Sequence, residues 1–431
     1  MANDAVTERT GTTVRRSSKL EAILDAGARR MNALGAGSIV LGDLAQELGL
    51  SRNALYYYVK DRSDLVRLCY ERACQKMQSD LQSAIVQEIC PKEQIRVFVE
   101  RSLSIDSAAY AVVSDQDLLK EPARTAISVR LNKNIDALSG IFRAGQSSSV
   151  FKLTDPEIAA QTLFGMLSWT QLWYNWSLPE NGARALRLAT AADSICDAIF
   201  YGVAADSGAP FECGVDAQQL TFRRFNTFDR DEANAQRQSL LVDAASLLFN
   251  RRGLEGASID DVGSEVGATK GAVYHHFKDK NAFIVACYER AFEQYELFAK
   301  CALESRRPPL DQLLMVLHLN CQAQAGETPP LILQPGLQSL PDQFLQRARA
   351  LASQMRALHA AGMKQGGVRP TSPAIVELPA GAFFWIPKWR AGRPDLSAST
   401  IADEMTRIYR SGLCSRDGAA LKTAIGRRDL D

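Results

Sequence analysis

Hydrophobic residues near the start of the chain recur every three or four positions, which predicts an amphipathic helix with one buried stripe. The same pattern returns 218 positions later. Gly35 and Gly253 follow the two stretches, and glycine often stands just after the end of a helix. The sequence therefore predicts the same first helix twice. Its buried positions are Ile23, Ala26, Gly27, Met31 and Leu34 in one copy and Leu241, Ala244, Ala245, Phe249 and Arg252 in the other.

A second, shorter hydrophobic pattern follows each of these helices and ends at a glycine, Gly49 or Gly267. Ser51 and Thr269 come two residues later, where their hydroxyl oxygens can accept an unpaired backbone N–H at the start of a third helix. A short helix, a tight turn and a capped helix are the parts of a helix-turn-helix. The hydrophobic positions of these helices are Leu41, Leu44, Ala45, Leu48, Leu55 and Val59, and Ile259, Val262, Gly263, Val266, Val273 and Phe277.

The chain matches itself without a gap from residue 20 to residue 73 at an offset of 218 positions. This period is too long for a solenoid, so it predicts the duplication of a whole domain. Trp385 and Trp389 follow Trp169 and Trp173 by 216 positions, which extends the predicted duplication to the whole protein. The residues that recur unchanged are Asp25, Ala26, Asn32, Gly35, Asp43, Glu47, Gly49, Ala54, Tyr56, Lys60, Asp61 and Cys69 to Ala73.

The polar face of each third helix is a candidate DNA-contact surface. The second helix of a helix-turn-helix enters the major groove, where Arg can pair with guanine and Asn with adenine. Tyrosine hydroxyls and lysines suit phosphates. The alternative is a polar face that is merely solvated, but two copies with the same turn and cap favour DNA binding. The predicted contacts are Ser51, Arg52, Asn53, Tyr56, Tyr57 and Lys60, and Thr269, Lys270, Gly271, Tyr274, His275 and Lys278.

Residues 55–65 and 273–280 resemble the signature of tetracycline-repressor-like (TetR) regulators. The resemblance implies an all-α fold, with a three-helix DNA-binding domain followed by a larger helical domain that binds ligand and dimerises. It also implies a fourth helix whose tilting, driven by ligand, separates the recognition helices. This chain departs from the family by carrying two copies, so we expect them to form an intramolecular pseudo-dimer. Gly271 stands where the first copy has Asn53, which puts base reading at that position in doubt.

The repeat and the resemblance together divide the chain. Prolines are frequent in its second half, and Pro387 is expected to kink or interrupt a helix. We therefore expect the two halves to have diverged, and the two pockets need not both survive. The predicted parts are a flexible arm (1–19), a first helix-turn-helix domain (20–66), a first regulatory domain (67–204), a linker (205–236), a second helix-turn-helix domain (237–284), a second regulatory domain (285–413) and a tail (414–431).

The arm and the linker can each be interpreted in more than one way. The arm, which contains several basic residues, is either disordered or a minor-groove or phosphate-binding segment. In the linker, Phe222, Phe225 and Phe228 suggest that part of the segment docks on the protein.

An aromatic run between residues 158 and 176 is consistent with a ligand pocket or with a buried helix interface. For Trp169 and Trp173 the core or interface interpretation is favoured. Residues 165–170 with Trp173 and Tyr174 resemble the branch of the family that senses acyl-CoA thioesters or similar lipophilic acids. The candidate pocket residues are Phe98, Tyr110, Leu118, Phe164, Trp169 and Trp173.

Composition narrows the class of protein. A chain of 431 residues with 46% hydrophobic content is globular, and its length suggests roughly two to four domains. The net charge of +1 does not oppose DNA binding, because local patches carry the electrostatics. No run of 18 apolar residues predicts a membrane span, and the polar start is unlike a signal peptide. Nine scattered cysteines without a C-x-x-C motif favour the cytoplasm.

These observations predict a transcriptional regulator, a repressor relieved by ligand, that reads an imperfectly symmetric operator with two different recognition helices. Its expected partners are double-stranded DNA and a small hydrophobic effector. We expect a monomer that acts as a pseudo-dimer, with further dimerisation left open. No cofactor, metal site or catalytic residue is expected, because the histidines lack partners at ligand spacing. The alternative is a helical scaffold that has lost DNA binding in one or both halves.

Overall fold

The computed structural model describes residues 2–104, 110–173, 184–206, 210–226, 228–334 and 341–414, without the side chains of 2–16, 173 and 184–187. Within these ranges the chain is all-helical, and the one extended contact is an isolated bridge between Ala204 and Val368. The predicted all-α class is therefore confirmed. Residues 415–431, which hold most of the predicted tail, lie outside the described part of the chain.

The first eight helices form what we call the first unit. Its head consists of α1 to α3, and α4 leads from the head into the remaining helices. The bounds are α1 Ala2–Leu34, α2 Leu41–Glu47, α3 Arg52–Tyr56, α4 Arg62–Gln87, α5 Pro91–Ser102, α6 Ala123–Ser147, α7 Pro156–Trp173 and α8 Arg184–Tyr201.

A short helix, α9 (Ala217–Thr221), follows in the linker, and the last eight helices form the second unit. The second head consists of α10 to α12. The bounds are α10 Arg230–Arg252, α11 Ile259–Glu265, α12 Lys270–His276, α13 Lys280–Glu304, α14 Pro309–Ala325, α15 Asp342–Lys364, α16 Leu378–Trp389 and α17 Ala398–Ser411.

The structure differs from the sequence expectations at several boundaries. Helix α1 begins at Ala2, so residues 2–19 are helical where a flexible arm was predicted. Helix α10 begins at Arg230, inside the predicted linker, because Asp229 caps it by accepting the N–H groups of Asp231 and Glu232. Helix α16 continues through Pro387 and ends two residues later, so that proline does not interrupt it.

The linker does dock on the second unit, but not through Phe222 or Phe228. Phe222 and Phe228 are 75% and 99% exposed, so the prediction that they anchor the linker is wrong. Instead, Cys213 and Ala217 are buried against α13 and α14. The backbone N–H of Ala217 also donates to Gln322 Oε1 at 3.0 Å. Short side chains let the linker backbone approach α14 closely enough for this bond.

The two units meet along α7 and α16, which cross at a pair of glycines. A Cβ added to Gly165 would lie 2.7 Å from the carbonyl oxygen of Gly381. One added to Gly381 would lie 2.6 Å from the carbonyl oxygen of Gly165. Only glycine fits on either side, because any side chain would meet backbone that cannot move away. The contact is reciprocal, and the two glycines are 216 positions apart, as are the tryptophans that follow them.

The ends of α8 and α17 form a second reciprocal contact. The N–H of Val203 donates to Tyr409 O (2.9 Å), and the N–H of Leu413 donates to Ile199 O (2.8 Å). One residue further on, two more bonds repeat the exchange, from Ala204 N to Arg410 O (2.9 Å) and from Cys414 N to Phe200 O (2.8 Å). Paired contacts of this kind, in which each partner gives and receives the same interaction, are characteristic of two-fold interfaces.

Candidate DNA-binding helices and effector cavities

Each head holds its third helix in the same way. Ser51 Oγ accepts the N–H of Ala54 at 3.2 Å, and Thr269 Oγ1 accepts the N–H of Ala272 at 3.3 Å. Both predicted N-caps are therefore confirmed. The preceding turns contain Gly49 at φ 64° and Gly267 at φ 67°, a left-handed conformation that glycine adopts without strain.

Buried side chains on one face orient the exposed face of each third helix. Leu55 and Val59 are 1% and 0% exposed in the first head, and Val273 and Phe277 are buried in the second. Each set packs against the other helices of its head, so the opposite face turns to solvent. The predicted DNA-contact residues are all exposed: Ser51, Arg52, Asn53, Tyr56, Tyr57 and Lys60, and Thr269, Lys270, Gly271, Tyr274, His275 and Lys278.

The leading cations of the two third helices differ in their surroundings. Lys270 Nζ lies 2.9 Å from Asp260 Oδ2 of α11, and the bond raises the pKa of Lys270. Arg52 lies beside Gly42 of α2 and forms no ion pair within the described part of the chain. The charge at the start of α12 is thus partly offset by a carboxylate, whereas the charge at the start of α3 is not.

The two heads contact each other both directly and through a loop of the first unit. Ala36, just after α1, donates its N–H to Asp115 Oδ2 at 3.4 Å. Arg252, at the end of α10, pairs with Asp117 at 3.4 Å. The side chain of Glu255 in the second head covers Gly37 in the first. Loop residues 110–118 therefore lie between the heads.

Lys388 of α16 ties the same loop to the second head. Its Nζ donates to Ser114 O at 2.8 Å and to Arg251 O at 3.4 Å. Burial lowers the pKa of Lys388, while the charges of Asp115 and Asp117 act in the opposite direction. Burial likewise raises the pKa of Asp115, and the charge of Lys388 opposes that shift. One end of α16 thus reaches the junction of the two heads.

The larger apolar cavity lies in the second unit and measures about 140 Å³. Helices α13 to α17 form its wall, and α7 of the first unit adds Trp169. Few polar groups face it, among them Asn320 and Glu377, and Glu377 is held by Arg356 at 2.5 Å. Its aromatic lining residues are Trp169, Phe292, Tyr295, Phe383, Phe384 and Tyr409.

The first unit has a smaller cavity of about 40 Å³, between α4, α5, α6 and α7. Three predicted pocket residues, Phe98, Tyr110 and Phe164, line it. Leu118 does not; it lies in a 3-10 turn beside Ser63. Trp169 lies on the face of α7 that packs on α16, and its ring packs against that of Phe384 in a tilted arrangement with ring centroids 5.2 Å apart. The side chain of Trp173 lies outside the described part of the chain.

Sequence reasoning missed the second cavity, although the repeat offset pointed to it. Most of its wall lies in the proline-rich half, and the sequence had left open which of the two pockets survives. Within the described ranges these prolines stand near the ends of helices or in loops, so they leave the wall intact; Pro379 is itself part of it. Among the described residues no group of His, Cys, Asp or Glu could hold a metal, and no described helix is long and apolar enough to span a membrane.

Two family models match the chain. Residues 241–287 match "Bacterial regulatory proteins, tetR family", and residues 90–177 match "Tetracyclin repressor-like, C-terminal domain". The first match covers most of the second head and the start of α13. The second covers α5, α6 and α7 of the first unit.

Several curated relatives match shorter segments. The Transposon Tn10 TetC protein of Escherichia coli is 44% identical over 50 residues, which is 12% of this chain and 25% of that protein. The HTH-type transcriptional regulator AcrR of Shigella flexneri is 37% identical over 60 residues, 14% of this chain and 27% of that protein. The chain thus spans about a quarter of the length of these relatives.

An uncharacterized HTH-type transcriptional regulator of Mycobacterium tuberculosis is 27% identical over 188 residues, 42% of this chain and 78% of that protein. Among solved structures, AibR in complex with isovaleryl coenzyme A and operator DNA matches 41% of this chain and 96% of its own, at 18% identity and a TM-score of 0.35. The TetR family regulator PfmR from Thermus thermophilus matches 40% and 96%, at 23% identity and a TM-score of 0.32. A tetR-family model thus matches one head and a repressor-like C-terminal model matches the regulatory helices of the other unit, so both matched parts of the chain are of the TetR type.

Proposed function

We propose that this chain is a DNA-binding transcriptional regulator, a repressor relieved by a small hydrophobic effector, whose two units act as an intramolecular pseudo-dimer. The observation that carries the proposal is the pair of capped third helices, each with its polar face exposed, on units joined by reciprocal contacts. A helix-turn-helix dimer needs two such helices held in a fixed relation, because its half-sites lie about 34 Å apart on one face of the duplex. Here a single chain supplies both.

The two third helices present different chemistry, so the operator is proposed to have two different halves. The first helix begins with Arg52 and Asn53, which can each form two hydrogen bonds to the edge of one base. The second begins with Lys270 and Gly271, and glycine offers no side chain to a base. We therefore expect the first helix to specify sequence more strongly than the second.

Selection from a random duplex library, followed by footprinting of the selected DNA, tests this proposal. The expected site has two unlike halves centred about one helical turn apart, and affinity falls steeply with salt as counterions are released. A single strict palindrome, bound equally well by a variant with Lys270 and Tyr274 changed to alanine, would contradict the asymmetric operator. A wild-type chain that enriches no duplex at low salt would contradict DNA binding itself.

The cavity of the second unit is the proposed effector site. Its volume of about 140 Å³ is close to that of cavities known to bind a small aromatic molecule. An acyl-CoA or another lipophilic acid would place only its apolar end there. Because Trp169 comes from the first unit, an occupant would touch both units at once.

Helix α16 offers a route from this cavity to the heads. Phe383 and Phe384 line the cavity, and Lys388 on the same helix binds backbone carbonyls at the junction of the heads. An occupant that shifts α16 would therefore shift the heads as well. Such coupling is typically worth about 1–3 kcal/mol, enough to change DNA affinity by one or two orders of magnitude.

Two tryptophan substitutions on α15 test the effector site. Ala352→Trp fills the cavity, whereas Ala360→Trp places the same side chain on the exposed side of the same helix. Hexanoyl-CoA, hexanoate and indole serve as probes, with thermal melting and DNA release as readouts. We expect at least one probe to bind wild type and Ala360→Trp but not Ala352→Trp. Binding that Ala352→Trp leaves unchanged would place the effector elsewhere.

A further inference from the structure

Asn32, near the end of α1, binds two backbone groups of a loop in the regulatory part of the first unit. Its Nδ2 donates to Tyr110 O at 2.5 Å, and its Oδ1 accepts the N–H of Val112 at 3.0 Å. The residue is 5% exposed. The side-chain amide therefore pairs with the loop as a neighbouring strand would, and it joins the head to a segment 80 residues away.

The second unit repeats the same arrangement. Asn250, which follows Asn32 by 218 positions, is fully buried. Its Nδ2 donates to Pro330 O at 2.8 Å, and its Oδ1 accepts the N–H of Ile332 at 2.9 Å. In each unit the partners are one carbonyl and one N–H, so only one orientation of the amide satisfies both. Asparagine is required at this position, since no other side chain of this length offers a donor and an acceptor together.

The loops that these asparagines hold also form part of the cavity walls. In the first unit Tyr110 and Val112 line the smaller cavity. In the second unit Leu333 lines the larger cavity, and Leu331 O accepts the hydroxyl of the lining residue Tyr295 at 2.9 Å. Each loop therefore has a cavity on one side and the first helix of a head on the other.

The side chains of the two loops differ, but the asparagine does not. Residues 110–112 read Tyr-Ala-Val and residues 330–332 read Pro-Leu-Ile, whereas the asparagine is the same in both heads. A link made only to backbone atoms tolerates such changes, because every residue has a carbonyl and every residue but proline has an N–H. Pro330 serves only as an acceptor, so it fits this rule.

We propose that Asn32 and Asn250 are positioning residues that fix each head to the cavity loop of its own unit, so that a change in the loop reorients that head. This inference rests on the proposed function, since a head's orientation matters only if it binds DNA. A further hydrogen bond near each asparagine also joins the head to the following segment: Asp115 accepts the N–H of Ala36 at 3.4 Å, and Gln334 donates to Phe249 O at 2.9 Å. The asparagines are the part that both units share.

The test compares three leucine variants in the full chain. Asn32→Leu and Asn250→Leu keep side-chain size but remove the bonds to one loop each. Asn134→Leu is the matched control, because Asn134 is also 5% exposed and its hydrogen bond goes to a backbone carbonyl outside both loops, Cys74 O at 2.8 Å. Amide hydrogen exchange at residues 110–113 and 331–333 is measured with and without the duplex selected in the test of the proposed function.

In wild type we expect the duplex to slow exchange in both loops, by about tenfold, as reciprocal coupling between two sites requires. Asn32→Leu should lose that protection at residues 110–113 and keep it at 331–333, and Asn250→Leu should do the reverse. Asn134→Leu should keep both, even where its melting temperature falls as far. Should a leucine variant fail to fold, Asn32→Ala and Asn250→Ala replace it, since water can then satisfy the loop groups.

Two results would overturn the inference while leaving DNA binding intact. One is a wild-type chain that binds the duplex without any change of exchange in the loops. The other is a set of asparagine variants that lose protection in both loops equally, or in neither. Failure of the wild-type chain to bind any duplex would instead contradict the proposed function.

Discussion

The two units contain corresponding helices, but they differ in the charge at the start of the third helix and in the volume of the apolar cavity. The first head presents Arg52 without a carboxylate partner among the described residues, whereas Lys270 in the second head is paired with Asp260. The cavities differ in the opposite direction, at about 40 Å³ in the first unit and about 140 Å³ in the second. Because the units are joined covalently and by reciprocal contacts, either half can lose a property that the other retains. The comparison suggests a first unit weighted towards reading DNA and a second weighted towards binding the effector.

The largest expected effect comes from separating the two units. Gly381→Leu or Gly165→Leu should cost about 3 kcal/mol of stability, because each new side chain meets the opposite backbone at α7 and α16. Thermal melting measures the loss. Gly140→Ala is the control, since nothing lies within 4 Å of a Cβ added there. If the two leucine variants melt like wild type, the close glycine crossing does not hold the units together.

The next effect compares the two recognition helices directly. Arg52→Ala should weaken binding to the selected duplex by about 2 kcal/mol and relax sequence preference in one half-site. Lys270→Ala should weaken it less, because Asp260 already offsets that charge. Fluorescence anisotropy with duplexes mutated in either half measures both changes. Equal losses of DNA affinity from the two variants, with both half-sites affected alike, would contradict the predicted difference between the heads.

A smaller effect should be the same in both heads. Ser51→Ala and Thr269→Ala each remove the cap of a third helix and should cost about 1 kcal/mol of stability. Chemical denaturation of each variant gives the change in the free energy of unfolding. Clearly unequal losses would mean that the two caps, despite matching geometry, support the heads to different degrees.

The smallest effect concerns acid sensitivity where the units meet. Burial alone would raise the pKa of Glu404, but bonds from Arg407 and from the N–H of Thr154 in the first unit outweigh it and lower the pKa overall. Because this pKa is lowered, ionised Glu404 contributes its full stabilisation above the ordinary glutamate pKa of about 4.3. The stabilisation is lost as the pH falls through the pKa that Glu404 has in the folded protein.

Melting temperatures of wild type and Glu404→Gln between pH 3 and pH 6 test this contribution. We expect the difference in melting temperature between the two proteins to narrow as the pH falls. Protonation removes the negative charge of Glu404 in wild type, and the substitution removes the same charge at every pH. Curves that stay parallel over the whole range would show that Glu404 adds no pH-dependent stability to the contact between the units.

Local patterns were enough to predict the heads. The helices around Leu55 and Val273, the caps at Ser51 and Thr269 and the exposed faces all follow from neighbours within a few positions, and the structure has each of them. Boundaries were less accurate, because Asp229 starts α10 earlier than the hydrophobic pattern does. Half of the proposed pocket residues line the small cavity, since a buried aromatic residue does not reveal which neighbour it faces.

The sequence by itself determined that the chain is all-helical, that it carries two helix-turn-helix heads and that these heads present different residues. Only the tertiary structure decided that Gly165 meets Gly381, that Trp169 enters the cavity of the other unit and that Asn32 and Asn250 each hold a loop. The physical reason is the separation along the chain between the residues that interact. Caps and helical periodicity depend on residues within one or two turns, whereas these contacts join residues about 80 to 220 positions apart, and their partners are set by the packing of whole helices.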